Sequence, residues 1–302
     1  MKKNTIDNSC DLSNLTGPLK YKLTNDYMFK AFLQRNEKAL RGLLCALLRL
    51  KTGDIKTICI TNPIKLGDTI TDKTIIMDIR LVMNNNKIIN VEMQVENLGD
   101  WPERSLFYLC RNYGNLNNIK HGGKYSDAMN VIHIGILDFT PAGFPEQLFL
   151  NYKFANKENN HIYSDKLTIL MLQLNQLGNV DDEASMPDLY HWAQLFRATT
   201  WEEINMLAEK NESIKEGIVT LKQLTDDEKI QMECEARERY RMDISTATSI
   251  GREEGREEGR EEGREQMSKL IINLIRDNRL EDLVRASEDD EYRDKLLDDY
   301  TL

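Results

Sequence analysis

Two acids, Asp78 and Glu92, stand in β-rich runs on either side of Asn84, Asn85 and Asn86. An Asn cluster between alternating apolar runs signals a turn, because Asn tolerates left-handed backbone angles. Strands folding back symmetrically about Asn85 set Asp78 opposite Glu92, Arg80 opposite Asn90 and Ile76 opposite Gln94. Period-two alternation then gives one face to Ile75, Met77, Ile79, Leu81, Met83, Ile89, Val91, Met93 and Val95. Asp78, Arg80, Asn90, Glu92, Gln94 and Glu96 share the other. Carboxylates directly across a strand pair repel, and each disfavours ionisation of the other unless a positive charge lies between them. A divalent cation meets that need. Oxygen-only ligands suit Mg²⁺ or Mn²⁺, and no His or Cys lies near enough in sequence to argue for zinc. The plainer alternative is a pair of solvated acids on an exposed sheet face, balanced by Arg80 and Lys87. A one-residue slip of the hairpin would undo the metal reading.

These residues need a scaffold. Thr24 or Asn25 can cap a first helix, and Asn36 a second in which Leu40, Leu43, Leu44, Leu47 and Leu48 follow helical spacing. Glu37, in the first turn of that second helix, is either a favourable helix-start acid or a further acid of the metal site. Residues 55–60 read as a first strand and the hairpin as the second and third. Gly99, Asp100, Trp101 and Pro102 then open a helix that runs to about Ile119. On it Arg104 and Tyr108 are one turn apart, where they could meet a phosphate backbone or simply be a solvated arginine and a core tyrosine. Residues 131–139 are apolar and β-branched, as a central strand buried on both faces requires, and further strands are expected at 147–154 and 166–174. The four histidines, His121, His133, His161 and His191, are scattered, and none receives a role.

Asp78 followed by Glu92, Met93 and Gln94 on the next strand resembles the PD-(D/E)XK nuclease superfamily, in particular its Rpn-type recombination-promoting nuclease and transposase branch. The opening Thr24 to Lys30, the run from Arg104 to Tyr113, Gly123, Tyr125 and residues 131–139 resemble the same family, over roughly residues 20–180. The departure is Gln94, which stands where the superfamily usually has Lys, although this branch often carries Gln. The resemblance implies an α/β, restriction-endonuclease-like core with a central mixed sheet flanked by helices, plus a helical C-terminal extension. It also implies Asp78 and Glu92, with the Met93 carbonyl, as ligands of Mg²⁺ or Mn²⁺, Gln94 as the residue that orients water, and Arg104 and Tyr108 as contacts to DNA.

The chain has 302 residues and 40% apolar residues, enough for one large or two modest domains with an ordinary core. Residues 1–150 hold 19 Lys and Arg against 15 Asp and Glu, and the remainder 21 against 35, so the formal net charge of -10 belongs to the tail. A nucleic-acid partner would therefore have to meet a local basic surface on the N-terminal half. Five cysteines without a CxxC pair, no secretory segment after Met1 and no run of membrane-spanning length point to the cytoplasm.

The expected organisation is a leader at 1–19, a nuclease-like core at 20–180, a helical annex at 181–225, a charged helix at 226–266 and a C-terminal helical segment at 267–302. The charged helix contains Gly-Arg-Glu-Glu repeats from Gly251 to Gly263. A four-residue period turns about 400° on a helix, so the glycines trace a slowly winding stripe that reads either as a self-association surface or as a charged spacer. Short helices broken at Asp277 and Asn278 should follow. The leading functional expectation is a Mg²⁺-dependent DNA endonuclease, with recombination or transposition as its setting. The alternative is a weak or inactive nuclease-fold module that binds DNA or protein and self-associates through its C-terminal helices.

Overall fold

The computed structural model describes residues 15–61, 79–115, 118–119, 123–178 and 180–301. They divide into two compact units, Met1–Glu238 and Arg239–Leu302. The first is built on one six-stranded mixed sheet in the order β1-β2-β3-β4-β6-β5. The strands are β1 (Ile58–Ile60), β2 (Ile79–Met83), β3 (Lys87–Gln94), β4 (Asn130–Leu137), β5 (Phe149–Ala155) and β6 (Ile162–Gln173). β1, β2 and β3 are antiparallel in sequence, β4 lies parallel to both β3 and β6, and β5 pairs antiparallel with β6 at the edge.

The hairpin folds in the expected register, with Ile79 opposite Val91, Arg80 opposite Asn90 and Met83 opposite Lys87. Its turn uses the left-handed freedom of asparagine: Asn84 has φ 52° and Asn85 φ 56°. Asp78 and Ile75 to Met77 lie outside the described residues. β1 is shorter than expected, because the Asn84 side chain takes the backbone N–H groups of Lys56 and Thr57 (2.7 and 3.2 Å) and ladder pairing begins only at Ile58.

The two faces of the sheet are covered differently. Ile79, Leu81, Ile89, Val91, Met93, Ile132, Ile134 and Ile136 meet one large core. It is shared with α1 (Asp26–Arg35), α2 (Glu37–Leu48), α5 (Pro187–Arg197), α6 (Trp201–Lys210) and α7 (Glu212–Asp226). α4 (Val180–Ser185) precedes α5. Asn25 caps α1 and Asn36 caps α2 through their side-chain oxygens, as the sequence suggests. The opposite face is covered by α3 (Trp101–Tyr113), the crossover from β3 to β4, through Leu109 on Ile88 and Val131. α3 ends at Tyr113 instead of near Ile119: Gly114 caps it and Asn115 follows, both poor helix formers.

α8 (Glu228–Arg276) is one helix of 49 residues that begins in the first unit and carries the Gly-Arg-Glu-Glu repeats, whose side chains are exposed. After a turn at Asn278 (φ 55°) come α9 (Leu280–Glu288) and α10 (Asp290–Asp299), so the break at 277–278 falls where the sequence places it. In this second unit Leu270, Leu274, Ala286 and Leu296 form a small core of their own. No helix among the described residues is long and apolar enough to cross a membrane.

Candidate active site

The face of β3 under α3 carries Asn90, Glu92 and Gln94, and none of them is solvated: they are 3%, 0% and 7% exposed. The exposed-acid alternative therefore fails for Glu92. A buried carboxylate must find positive charge or hydrogen bonds. Arg104, reaching down from the first turns of α3, supplies both, its Nε at 2.8 Å and its Nη2 at 2.7 Å from the same oxygen, Glu92 Oε1. The Arg104 guanidinium also lies over the Tyr108 ring, 5.5 Å from its centroid. Neither Arg80 nor Lys87 supplies that pairing. Arg80 donates from Nε to Asn112 Oδ1 (2.7 Å) and so tethers α3 to β2. Arg104 and Tyr108, expected to share one face of the helix, do so, and that face is turned toward Glu92.

The parallel register of β3 and β4 adds a residue that received no role from sequence alone. Asn90 pairs with His133 and Glu92 with Gly135, so His133, on the same sheet face, lies diagonally beside the carboxylate. It is fully buried, with Nε2 at 3.7 Å from Glu92 Oε2 and Nδ1 at 3.2 Å from Asn90 Nδ2. The Tyr108 ring stacks on it (centroids 6.1 Å apart, planes 15° apart), and Trp101 flanks it at 5.6 Å. Burial first, and the Arg104 charge second, push its pKa down to about 3, so the imidazole is neutral. Trp101 in turn depends on Gly135: a Cβ there would come within 2.1 Å of the Trp101 ring. The signal available in the sequence was the alternation of His133 and Gly135 within the 131–139 strand, which became legible only once the strand's neighbour and register were known.

Gln94 donates from Nε2 to the Glu96 carbonyl at 3.0 Å, which fixes the orientation of its amide because a carbonyl only accepts. The backbone carbonyl of Gln94 accepts from Asp138 N (3.0 Å), on the β4 side. Successive carbonyls of a strand point to opposite flanks, so the Met93 carbonyl is directed toward the β2 side while the Met93 side chain is buried in the core. Glu92, the Met93 carbonyl and Gln94 thus offer hard oxygen donors, the chemistry that Mg²⁺ and Mn²⁺ prefer. Among the described residues no group of three or more His, Cys, Asp or Glu side chains could hold a metal ion; Asp78, the expected second carboxylate, lies outside them. Glu37 is not part of this site: it sits in the first turn of α2, two-thirds exposed and paired with Arg41 at 2.7 Å.

No curated protein and no solved structure matches the chain. The model of one family, the PD-(D/E)XK nuclease family transposases, matches residues 23–250, a span that holds every described strand of the sheet and includes positions 78 and 92. With the mixed sheet flanked by helices, the Glu92-Met93-Gln94 strand and a match over most of its length, the chain belongs to the PD-(D/E)XK nuclease family transposases.

Proposed function

We propose that the chain is a metal-dependent DNA endonuclease whose site comprises Asp78, Glu92, the Met93 carbonyl and Gln94, with Arg104 and Tyr108 serving the DNA backbone. The observation that carries this reading is Glu92 itself, a fully buried carboxylate on a central strand, kept there by a guanidinium instead of being replaced by an apolar residue. Burying an ion pair is at best neutral for stability when compared with apolar side chains of the same volume, so its presence favours a chemical role.

Asp78, Glu92 and the Met93 carbonyl would hold a Mg²⁺ or Mn²⁺ ion, which when bound lowers the pKa of water and neutralises charge building on a phosphate. The protein's own part is positional. Gln94, with its NH₂ committed to Glu96, presents the amide oxygen as an acceptor for a water but, unlike Lys, brings no charge. Arg104 holds the Glu92 carboxylate in place, and its guanidinium, lying over the Tyr108 ring, would be the cationic group that meets a DNA phosphate. The chain would act in the cytoplasm, in recombination or transposition, and the Arg239–Leu302 unit with the exposed repeats of α8 would join copies of the chain.

The test is plasmid nicking with Mg²⁺ or Mn²⁺. The parent should nick in a metal-dependent way, and Asp78→Ala and Glu92→Ala should fall to the level of DNA alone. Intact plasmid with both metals, or an Asp78→Ala protein that cuts like the parent, would replace this reading with a binding module of nuclease fold.

A further inference from the structure

We infer that His133 is a positioning residue for Glu92, which presents its Nε2–H to the Oε2 edge of the carboxylate and so leaves the Oε1 edge to the cation. This rests on the reading of Glu92 as a metal ligand and assigns a new residue to it.

Three observations lead there. First, the proton's place on the ring follows from Asn90, whose NH₂ approaches Nδ1 at 3.2 Å. An NH₂ can only donate, so Nδ1 accepts and the neutral ring carries its hydrogen on Nε2. Second, Nε2 has no hydrogen-bond partner among the described residues, although it is buried. Glu92 Oε2 lies 3.7 Å from it, just beyond hydrogen-bond range. An N–H sealed from water without a partner opposes folding, and a small rotation of the carboxylate would give it one. Third, that rotation is coupled to Arg104. The Arg104 Nε and Nη2 contacts both fall on Oε1, while Oε2 is the oxygen that faces His133, so a change in the Arg104 contact would turn the carboxylate relative to Nε2. Trp101 and Tyr108 hold the imidazole between them, so the carboxylate is the part that moves. Residues that hydrogen-bond to a metal ligand in this way typically change metal affinity by 10–100-fold when they are removed.

The experiment is a Mn²⁺ titration of the full-length parent and of His133→Leu, His133→Gln and His133→Asn, followed by calorimetry and by the metal dependence of nicking. Gln places an N–H donor near the position of Nε2, whereas Asn reaches only as far as Nδ1. Mn²⁺ affinity should fall at least tenfold in His133→Leu and His133→Asn and stay within threefold of the parent in His133→Gln. The Mn²⁺ concentration for half-maximal nicking should move by the same factors while the rate at saturating Mn²⁺ changes little. A purely structural His133 would instead lower the saturating rate through loss of folded protein and leave the Mn²⁺ midpoint in place, and that result would overturn the inference. Should His133→Leu fail to fold, the Gln and Asn pair decides: equal affinities in the two overturn the inference. A parent that binds no Mn²⁺ removes Glu92 as a ligand and this inference with it, whereas a parent that binds Mn²⁺ as tightly as all three variants removes His133 alone.

Discussion

The two faces of β3 and β4 are buried to the same degree and filled with opposite chemistry. Toward α1 and α2 the strands present Ile89, Val91, Met93, Ile132, Ile134 and Ile136, and toward α3 they present Asn90, Glu92, Gln94 and His133. On the first face burial is itself the driving force, about 25 cal/mol for each Å² of apolar surface removed from water. On the second it opposes folding, and each polar atom has to be offset by a specific partner such as Arg104 for Glu92. One face can be repacked with any apolar set of similar volume, while the other tolerates only the side chains that satisfy one another. Burial alone therefore does not separate core from site; the need for named partners does.

Glu92→Gln preserves shape and an acceptor oxygen for Arg104 but removes the charge, so nicking should fall about a thousandfold, on the order of 4 kcal/mol of activation free energy, in a chain that remains folded. Ile134→Ala should do the reverse, losing about 2–5 kcal/mol of stability in urea unfolding while each folded molecule nicks at the parent's rate. A Glu92→Gln protein with full activity, or an Ile134→Ala protein that is as stable as the parent and inactive, would break the division between the faces.

Gly135 is where the two roles meet. It lies opposite Glu92 in the parallel register, and its missing Cβ is the space that Trp101 fills. Gly135→Ala should cost about 1–3 kcal/mol as an overpacked contact. Because Trp101 flanks His133, it should also raise the Mn²⁺ concentration for half-maximal nicking, which Ile134→Ala should not do. Loss of stability with unchanged nicking would assign Trp101 to packing alone.

What could be read in the sequence was what is local. The hairpin register followed from the Asn84–Asn86 cluster and period-two alternation, the starts of α1 and α2 from Asn25 and Asn36, and the break before α9 from Asp277 and Asn278. Each depends on a few neighbouring residues, and for the hairpin the close pairing of adjacent strands does the rest. The partners of Glu92 were harder. Arg104 comes from a helix that must first cross back over the sheet, and His133 from a strand set beside β3 in a parallel register that no local signal specifies. A helix face carrying Arg and Tyr looks the same in sequence whether it meets phosphate or a buried acid. The length of β6 was hidden for a different reason. Its first half, with Ser164, Asp165 and Lys166, lies in an exposed edge hairpin where alternation with a core is not required.

The smallest expected effect tests the boundary of the site. Glu37 is the acid that the sequence offered as a further metal ligand, and the structure separates it from Glu92 by environment. It is two-thirds exposed, it stands at the start of a helix where negative charge is favourable, and its carboxylate meets Arg41 one turn on at 2.7 Å. An exposed i,i+4 pair contributes about 0.3–0.5 kcal/mol and is screened by salt. Glu37→Gln should therefore lower the unfolding free energy by no more than about 0.5 kcal/mol, with the difference fading in 1 M salt, and leave the Mn²⁺ midpoint of nicking where it is. The contrast with Glu92→Gln uses the same chemical change, one oxygen for one NH₂, at two acids, and it isolates environment as the variable. If Glu37→Gln instead raised the Mn²⁺ midpoint, the metal site would extend to α2 on the other side of the sheet, and the face under α3 would no longer hold the whole of the chemistry.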